Sequence, residues 1–253
     1  MTRALLLLPA LFVSFAALAQ PTTPVLIPTF YNGPGQFGSQ WRTDVVVVNG
    51  MEQSLEGRGV RFATHCPIAE GCETSYVAPS HRAQVAGPES ARGLLLHLPA
   101  NAADRVEFQG HFGEGDRRSY VLPIVRERDF RSDRFGMADV PFHGPFRSTL
   151  RIYSPDPLVD QFVIVRVIPT DAPFGIPEAV QVITLETDVP TSLPLRPAFA
   201  QLVLQRDFPQ ITGNSMRIEL ESIPRLDGRI PRIWAFVTVT FNDRNDVVVI
   251  VPQ

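Results

Sequence analysis

The stretch Trp41-Arg42-Thr43-Asp44-Val45-Val46-Val47-Val48-Asn49-Gly50 decides the fold, because the chain repeats its pattern as Phe146-Arg147-Ser148-Thr149-Leu150-Arg151-Ile152-Tyr153-Ser154-Pro155. In each copy an aromatic residue, an arginine and a hydroxyl residue precede a run of β-forming residues, and a turn former ends the copy. The copies lie 105 residues apart, and the same offset aligns Val60-Arg61-Phe62 with Val165-Arg166-Val167. A match that recurs at a fixed offset indicates tandem duplication of one structural unit.

Alternation within the two copies predicts which side chains face a core, because successive residues of a strand point to opposite sides of a sheet. The residues predicted to face inward are Trp41, Thr43, Val45, Val47, Val60, Phe62, Phe146, Ser148, Leu150, Ile152, Val165 and Val167. The residues predicted to face outward are Arg42, Asp44, Val46, Arg61, Arg147, Thr149, Arg151 and Arg166.

Short runs of β-branched and aromatic residues recur along both halves, and Pro, Gly, Asp and Asn separate them. The 24 Pro and 17 Gly favour many turns and few long helices. This pattern predicts an all-β fold of two tandem antiparallel sandwiches. We expect a signal peptide at 1–19, a first sandwich domain at 24–126, a linker at 127–144 and a second sandwich domain at 145–253.

The N-terminal segment has the features of a cleaved signal peptide. Arg3 supplies a positive charge, an apolar core follows from Ala4 to Ala16, and Ala17-Leu18-Ala19 offers small residues at the cleavage site. A transmembrane anchor is the alternative, but the apolar core is shorter than a spanning helix requires. Gln20 rather than Cys follows the cleavage site, which argues against a lipoprotein anchor. We therefore expect a secreted or periplasmic protein whose mature chain has no transmembrane anchor.

The overall composition favours a folded protein that does not bind nucleic acid. The chain is 44% hydrophobic and 19% charged, which allows a packed core. Its formal net charge of −3 lacks the basic excess that a nucleic-acid-binding face normally carries.

The run from Trp41 to Asn49, after a Gly- and Pro-rich loop, resembles a segment of secreted bacterial proteins that carry immunoglobulin-like or fibronectin-III-like sandwich modules. The resemblance covers about one strand and its flanks in each copy. It implies two Ig-like sandwiches but no activity, because sandwiches host many unrelated functions. The Cys-Trp-Cys order of antibody domains is absent, since both cysteines lie between Trp41 and Trp234.

The only two cysteines, Cys66 and Cys72, are expected to form a disulfide. An exported chain with one even pair of cysteines usually oxidises it, and the short spacing suits a stapled loop between two strands. A metal site that recruits His65 and His81 is the alternative. Zinc sites, however, usually show tighter cysteine spacing and more ligands.

The sequence offers no motif of a common enzyme class. It contains no His-Glu-x-x-His, no Gly-x-Ser-x-Gly elbow and no glycine-rich phosphate loop between strand and helix. Acidic and amide residues gather at 114–116 and 242–246, where ordinary hairpin turns are favoured and calcium binding is the alternative. We therefore predict no catalytic residue, no cofactor and no metal ligand.

Two outward arginines, Arg151 and Arg166, are candidates for contact with an anion. If their strands are neighbours in a hairpin, pairing about the connection places the two side by side. Like charges in opposite positions are unfavourable unless something screens them. Solvent or a carboxylate such as Glu186 could supply the screening, or the pair could recognise carboxylate, sulfate or phosphate.

These observations favour an exported, non-catalytic binding, adhesion or structural module with an unknown protein or glycan ligand. The alternative is a secreted hydrolase or carbohydrate-active protein whose site is assembled from loops. A base within reach of a nucleophile, or paired carboxylates, would favour the enzyme. An exposed apolar or aromatic patch would favour the binding module.

Overall fold

The computed structural model describes residues 21–34, 40–56, 60–64, 72–86, 92–102, 104–114, 120–156, 160–170, 178–187, 196–241 and 247–253. Within these ranges the chain forms antiparallel β-sheets, and its α-helix, α1, is a single turn at Leu204–Asp207. The all-β prediction is confirmed. The predicted signal peptide at 1–19 lies outside the described residues.

The described ranges contain 20 strands. Those of the first half are β1 (Thr22–Ile27), β2 (Asn32–Pro34), β3 (Gln40–Asn49), β4 (Leu55–Glu56), β5 (Arg61–Thr64), β6 (Cys72–Thr74), β7 (Tyr76–Val77), β8 (Arg82–Ala86), β9 (Leu94–Pro99), β10 (Val106–Glu114), β11 (Tyr120–Leu122) and β12 (Val125–Arg126). Those of the second half are β13 (Phe135–Pro141), β14 (Phe146–Ser154), β15 (Gln161–Pro169), β16 (Ala179–Leu185), β17 (Ala198–Val203), β18 (Ser215–Ser222), β19 (Trp234–Phe241) and β20 (Val247–Ile250).

The first half forms a sandwich around one core. Its larger sheet has the order β11-β10-β3-β8-β5-β6, with β2 beside β3. A smaller sheet, β12-β1-β9, and the pair β4-β7 complete it. Strands of all three sheets contribute to one hydrophobic cluster, including Val45, Leu55, Phe62, Val77 and Leu94.

The second half forms a sandwich of two four-stranded sheets. Their orders are β13-β18-β15-β16 and β17-β14-β19-β20. Leu150, Val165, Ile218 and Val237 come from both sheets and are fully buried in one shared cluster. The turn α1 adds Leu204 to the same cluster.

The two halves share one strand order around the repeated stretch. In each half that stretch is a central strand, β3 or β14, with a hairpin on one side (β10-β11 or β19-β20) and one strand on the other (β8 or β17). The first strand pairs with the strand that precedes the hairpin, β1 with β9 and β13 with β18. The match between Trp41 and Phe146 in the sequence is therefore also a match in the structure.

The second match of the duplication, Val60-Arg61-Phe62 with Val165-Arg166-Val167, is wrong. β5 lies in the same sheet as β3, whereas β15 lies in the sheet opposite β14. The equivalent of β15 is β4, which follows the central strand and pairs with β7 as β15 pairs with β16. The β5-β6 hairpin is an addition to the edge of β8.

Asn49 explains how the chain leaves β3. Its side chain is fully buried, and its amide nitrogen donates to the carbonyls of Gln53 and Val77 at 2.9 Å each. Its Oδ1 accepts from the Met51 backbone at 3.0 Å. One amide thus ties the end of β3 to β7 and to the turn before β4, which places the β4-β7 pair over the core.

The predicted alternation of faces is confirmed in both copies. Thr43, Val45 and Val47 are buried while Arg42 is exposed, and Leu150 and Ile152 are fully buried while Arg151 is only partly so. Two of the side chains predicted to face inward are less buried than expected. Trp41 is half-buried at the end of its sandwich, stacked on Phe112 at 5.1 Å, and Phe146 is half-buried beside Phe241 at 5.8 Å.

The segment 127–144, which the sequence predicts to be a linker, contains strand β13. It begins with a 3-10 turn at Glu127–Asp129, and Arg131 then bridges to Ile233 before β13 pairs with β18. The second sandwich therefore takes its first strand from this segment. The division of the chain into two domains stays a prediction.

A third hydrophobic cluster joins the two halves, and we call it the junction cluster. Its members come from the first half, the second half and the segment between them: Leu26, Leu95, Val125, Phe130, Tyr153, Phe199, Trp234 and Phe236. Tyr153 is fully buried, and its hydroxyl donates to the carbonyl of Pro28. The β12-β1-β9 sheet therefore packs one side on its own core and the other on the β17-β14-β19-β20 sheet.

The strand order differs from that of immunoglobulin constant domains, in which the first two strands of the domain share a sheet. Here β1 and β3 lie in different sheets, as do β13 and β14. The architecture is a β-sandwich in each half, and the Ig-like assignment stays a prediction.

Candidate functional site

The structure does not bring Arg151 and Arg166 together, so the predicted hairpin pairing is wrong. β14, which holds Arg151, pairs with β17 and β19. β15, which holds Arg166, pairs with β16 and β18 in the opposite sheet. The chain changes sheets between the two strands, and this separates the two side chains by the thickness of the sandwich.

Arg166 lies on the solvent side of its sheet, where two carboxylates balance its charge. Its Nε lies 3.2 Å from Glu178 Oε1, and its Nη1 lies 2.7 Å from Glu221 Oε2. Its side chain is 21% exposed. An external anion would have to displace one of these two glutamates. Neither of them is Glu186, the carboxylate considered from the sequence.

Arg151 lies on the side of its sheet that is turned toward the first half, and we call this side the junction face. Its Nε donates to Gln201 Oε1 at 3.2 Å and its Nη1 to Thr238 Oγ1 at 3.0 Å. The guanidinium also lies over the Phe236 ring, 5.7 Å from its centroid. These partners are neutral, unlike those of Arg166.

The register of β14 and β19 arranges the junction face in rows. The rows pair Arg147 with Thr240, Thr149 with Thr238, Arg151 with Phe236 and Tyr153 with Trp234. Phe236, Tyr153 and Trp234 of the last two rows belong to the junction cluster, while the first two rows are polar. Thr149 and Thr238 are each only 4% exposed, so this polar part of the face is largely covered.

The electrostatics of the junction face are those of a partly desolvated cationic region. Burial lowers the pKa of Arg147, and the neighbouring charge of Arg151 lowers it further. Burial raises the pKa of Tyr120, a residue of the first half, to about 12, and the charge of Arg151 partly opposes that rise. The charge of Arg151 therefore affects the pKa of a residue in each half.

The predicted disulfide falls on residues of which little is described. Cys66 lies outside the described residues. The backbone of Cys72 belongs to β6 and pairs with Thr64 of β5, and its side chain lies outside the described part. The β5-β6 hairpin agrees with the expected loop between two strands, and the disulfide itself stays a prediction.

Cys66 and Cys72 are expected to be oxidised to a disulfide that stabilises the fold. Thiol titration of protein purified from an oxidising compartment should find no free thiol until reductant is added. The Cys66→Ser/Cys72→Ser variant should lose on the order of 2–3 kcal/mol, because a small closed loop restricts the unfolded chain only modestly. Two titratable thiols in the native protein, or a bound metal lost in the double variant, would overturn this expectation.

The described histidines lie apart from one another. His97 is on β9, His111 is on β10 in the opposite sheet, and His143 stacks edge-on against Phe142 at 4.7 Å. The His81 ring contacts the Pro79 carbonyl at 2.7 Å. His65 lies outside the described residues, as do the two acidic loops considered for calcium apart from the backbone of Glu114. Among the described residues no group of three or more His, Cys, Asp or Glu could hold a metal ion.

The solvent side of the β13-β18-β15-β16 sheet carries an apolar patch that the sequence analysis missed. Val182 is 60% exposed, Val180 52% and Phe162 45%. The register sets Val182 beside Ile164 and Val180 beside Arg166, so the patch adjoins the Arg166 ion pairs. The alternation of Val180, Val182 and Thr184 in the sequence was a usable signal, but it does not say which face is covered.

Two members of the patch, Val180 and Val182, lie on the edge strand β16. Within the described part of the chain β16 pairs along its length with β15 alone, and its end is held by the bridge between Glu186 and Phe199. Gln181, on the inner side, donates to the Asp207 carbonyl at 2.6 Å and fixes the strand to α1. β16 is thus a well-anchored strand with an outer edge.

Neither of two shallow clefts among the described residues holds an arrangement of catalytic residues. One, of about 370 Å³, lies at the β13 edge and includes Arg134, Arg217 and Glu219. Glu219 is held between the two arginines, 3.0 Å from Arg217 Nη2. That is an ion-paired carboxylate rather than the carboxylate pair of a glycosidase. The other, of about 390 Å³, lies between β10 and the β11-β12 connection.

Comparison with protein-family models, with curated proteins and with solved structures returned no match. In the described ranges no helix has the length and apolar character needed to cross a membrane.

Proposed function

We propose that the protein is an exported, non-catalytic binding module whose β16 edge binds an extended segment of another polypeptide. The observation that carries the proposal is the exposed apolar patch formed by Val180 and Val182 on the edge strand β16 and by Phe162 on the neighbouring strand β15. Exposed apolar groups that lie together mark interaction surfaces more often than scattered ones do. The signal-peptide features of residues 1–19 support export.

The chemistry of the edge favours a polypeptide partner. An extended peptide can add to a sheet edge through main-chain hydrogen bonds, while alternate side chains select the sequence. Edges that must stay unpaired usually carry Lys, Pro or a bulge. The strand Ala179–Leu185, with the sequence AVQVITL, has no charged residue and no Pro, and its pairing with β15 runs without a register shift.

The surroundings of the patch resemble the anatomy of an interface, with an apolar centre and a polar rim. The rim is formed by Arg166 with Glu178 and Glu221 on one side and by Thr184 at the end of the strand. The side chains of an added strand would pack beside Val180 and Val182 and leave the ion pairs at the border accessible to water.

A labelled peptide that copies residues 178–186 is a direct probe, because antiparallel addition would align like β-branched residues. We expect saturable binding of this peptide to the mature protein, measured by fluorescence anisotropy, and no binding of a scrambled peptide. Val182→Lys should abolish binding, since an edge lysine opposes strand addition.

Val248→Lys is the matched control, because Val248 is 49% exposed on β20, the edge strand of the other sheet. This variant should bind the peptide as the wild type does. Binding that is unchanged in Val182→Lys, or that is equal for the scrambled peptide, would rule out β16 as the binding edge.

A further inference from the structure

The edge of β16 is complementary to itself. We propose that its partner is a second copy of this chain, whose β16 adds antiparallel to the first across a two-fold axis at Val182. This pairing rests on the function proposed above, because it uses the same edge, and it identifies the polypeptide that binds there. It would join two copies of the four-stranded sheet β13-β18-β15-β16 into one continuous sheet.

Hydrogen bonds near the end of β16 fix the direction in which its backbone points. Glu186 exchanges backbone hydrogen bonds with Phe199 at 2.8 and 3.0 Å, on the side away from β15. Phe162, which lies opposite Thr184, turns its carbonyl to the other side of β15 and accepts from the Ile223 N–H at 2.9 Å. Opposite residues of an antiparallel pair either bond to each other or both point away, so the N–H and C=O of Thr184 also point away from β15.

The backbone groups of Val180 and Val182 point the same way as those of Thr184, because the direction alternates along a strand. These three residues therefore offer their N–H and C=O groups to an added strand, and in the described ranges no strand occupies that position. Their side chains are exposed on the solvent side of the sheet. A two-fold axis at Val182 sets Val182 opposite its copy and Val180 opposite Thr184, so the free groups of the two edges bond to one another.

The same axis matches the side chains of the two copies. Val182 lies beside Ile164 in its own sheet, so the axis forms a row of four β-branched residues from these two and their copies. Val180 of each copy meets Thr184 of the other, which lies beside Phe162. Cross-strand pairs of β-branched and aromatic residues are the contacts that stabilise a sheet. The exposed apolar patch of one copy is thereby extended by the patch of the other.

The distribution of charge favours a second copy over an unrelated polypeptide. A charge on an edge strand still allows a peptide of opposite charge to bind, but it opposes a copy of itself, because like charges then lie opposite each other. The strand Ala179–Leu185 has no charge. The axis does bring Glu178 opposite Glu186 at the ends of the pairing. Each of them has an arginine of its own chain beside it, since Arg166 lies 3.2 Å from Glu178 and Arg92 lies 2.6 Å from Glu186.

The size of the contact indicates a reversible dimer. The pairing involves one strand of seven residues from each copy, which is less than the 20–30 residues a side of a standard stable interface. We therefore expect monomers and dimers in equilibrium, with the dimer favoured as the protein concentration rises.

Sedimentation velocity of the mature protein over a range of concentrations tests for the dimer. We expect the sedimentation coefficient to rise with concentration from that of a monomer to that of a dimer. Val182→Lys should weaken dimerisation by about tenfold or more, because the axis sets the two lysines opposite each other. Val248→Lys is the matched control, since Val248 lies on β20 at the edge of the other sheet, and this variant should dimerise as the wild type does.

Cysteine cross-linking tests the register. Residues directly opposite in an antiparallel pair have Cα atoms about 4.5–5.5 Å apart, a distance that a disulfide can span. Val182→Cys should therefore give a covalent dimer under mild oxidation. Thr184→Cys should give none, because four residues separate its two copies along the strands, roughly 13 Å. The wild type controls for the two native cysteines.

Binding of the 178–186 peptide distinguishes failure of the second copy from failure of the binding edge. A protein that stays monomeric at every concentration and still binds the peptide overturns the second copy and leaves β16 as the site of another polypeptide. A protein that neither dimerises nor binds the peptide overturns both. A dimer that persists unchanged in Val182→Lys, or a cross-link through Thr184→Cys without one through Val182→Cys, overturns the two-fold pairing at Val182.

Discussion

Replacing Tyr153 by alanine is expected to lower the free energy of unfolding by about 3–5 kcal/mol, the range found for emptying the site of a large buried aromatic residue. Tyr153 is fully buried at the centre of the junction cluster. The centroid of its ring lies 5.2 Å from that of Phe199 and 6.1 Å from those of Trp234 and Phe236. Chemical unfolding followed by circular dichroism measures the loss.

Tyr153→Phe separates packing from hydrogen bonding. The ring remains, but the Pro28 carbonyl loses the donor that it has across the junction. A buried acceptor left without a partner costs about 1–3 kcal/mol, so this variant should lie between the wild type and Tyr153→Ala. If Tyr153→Ala costs no more than an ordinary surface change, about 0.5 kcal/mol, the two halves do not pack through this residue in solution.

The sequence predicts the faces of the strands correctly but not what covers them. Alternation assigns Thr149 to the outward side of β14, and the structure places it there. Thr149 and Tyr153 are nevertheless buried, because the first half covers that side. Periodicity is a local property of one strand, whereas burial of the second face depends on a sheet far away in the sequence.

Strand β13 was missed for a local reason. Phe135 and Met137 alternate as a strand requires, but the pairing with β18 shifts register between Met137 and Val140. Asp139, inside this irregularity, has a positive φ of 52°. A bulge adds a residue and breaks the period of two, and the charged residues before it are typical of a linker. The sequence pattern therefore does not indicate this strand.

For the candidate site, too, the sequence predicts correctly what depends on one strand and wrongly what depends on how strands pair. The sequence picks out Arg151 correctly as an outward arginine, but it pairs it with Arg166 because the two strands follow each other in the chain. Consecutive strands of a sandwich can lie in opposite sheets, and only the tertiary fold shows that Arg147 is the arginine on the same face. The exposed patch on β16 was missed because an edge strand and a central strand can share one pattern.

Leu150→Ala is expected to destabilise the protein by about 2–5 kcal/mol, the range for leucine in a packed core. Leu150 is fully buried and lies between Leu202 and Val237 in the centre of the second sandwich. Val45, which is 105 residues earlier in the sequence, is its equivalent in the first sandwich and is also fully buried. Val45→Ala removes one carbon fewer and should cost correspondingly less, by about 0.8 kcal/mol for that carbon.

The pair of variants also tests whether the halves unfold independently. Trp41 in a Trp234→Phe background reports on the first sandwich, and Trp234 in a Trp41→Phe background reports on the junction. We expect Leu150→Ala to shift both fluorescence transitions, because loss of the second sandwich would expose the apolar outer side of β1 and β9, where Leu26 and Leu95 are buried. If only the Trp234 transition moves, the halves are separate folding units, as the duplication in the sequence predicts. The junction cluster would then be a contact between folded domains and not part of a shared core.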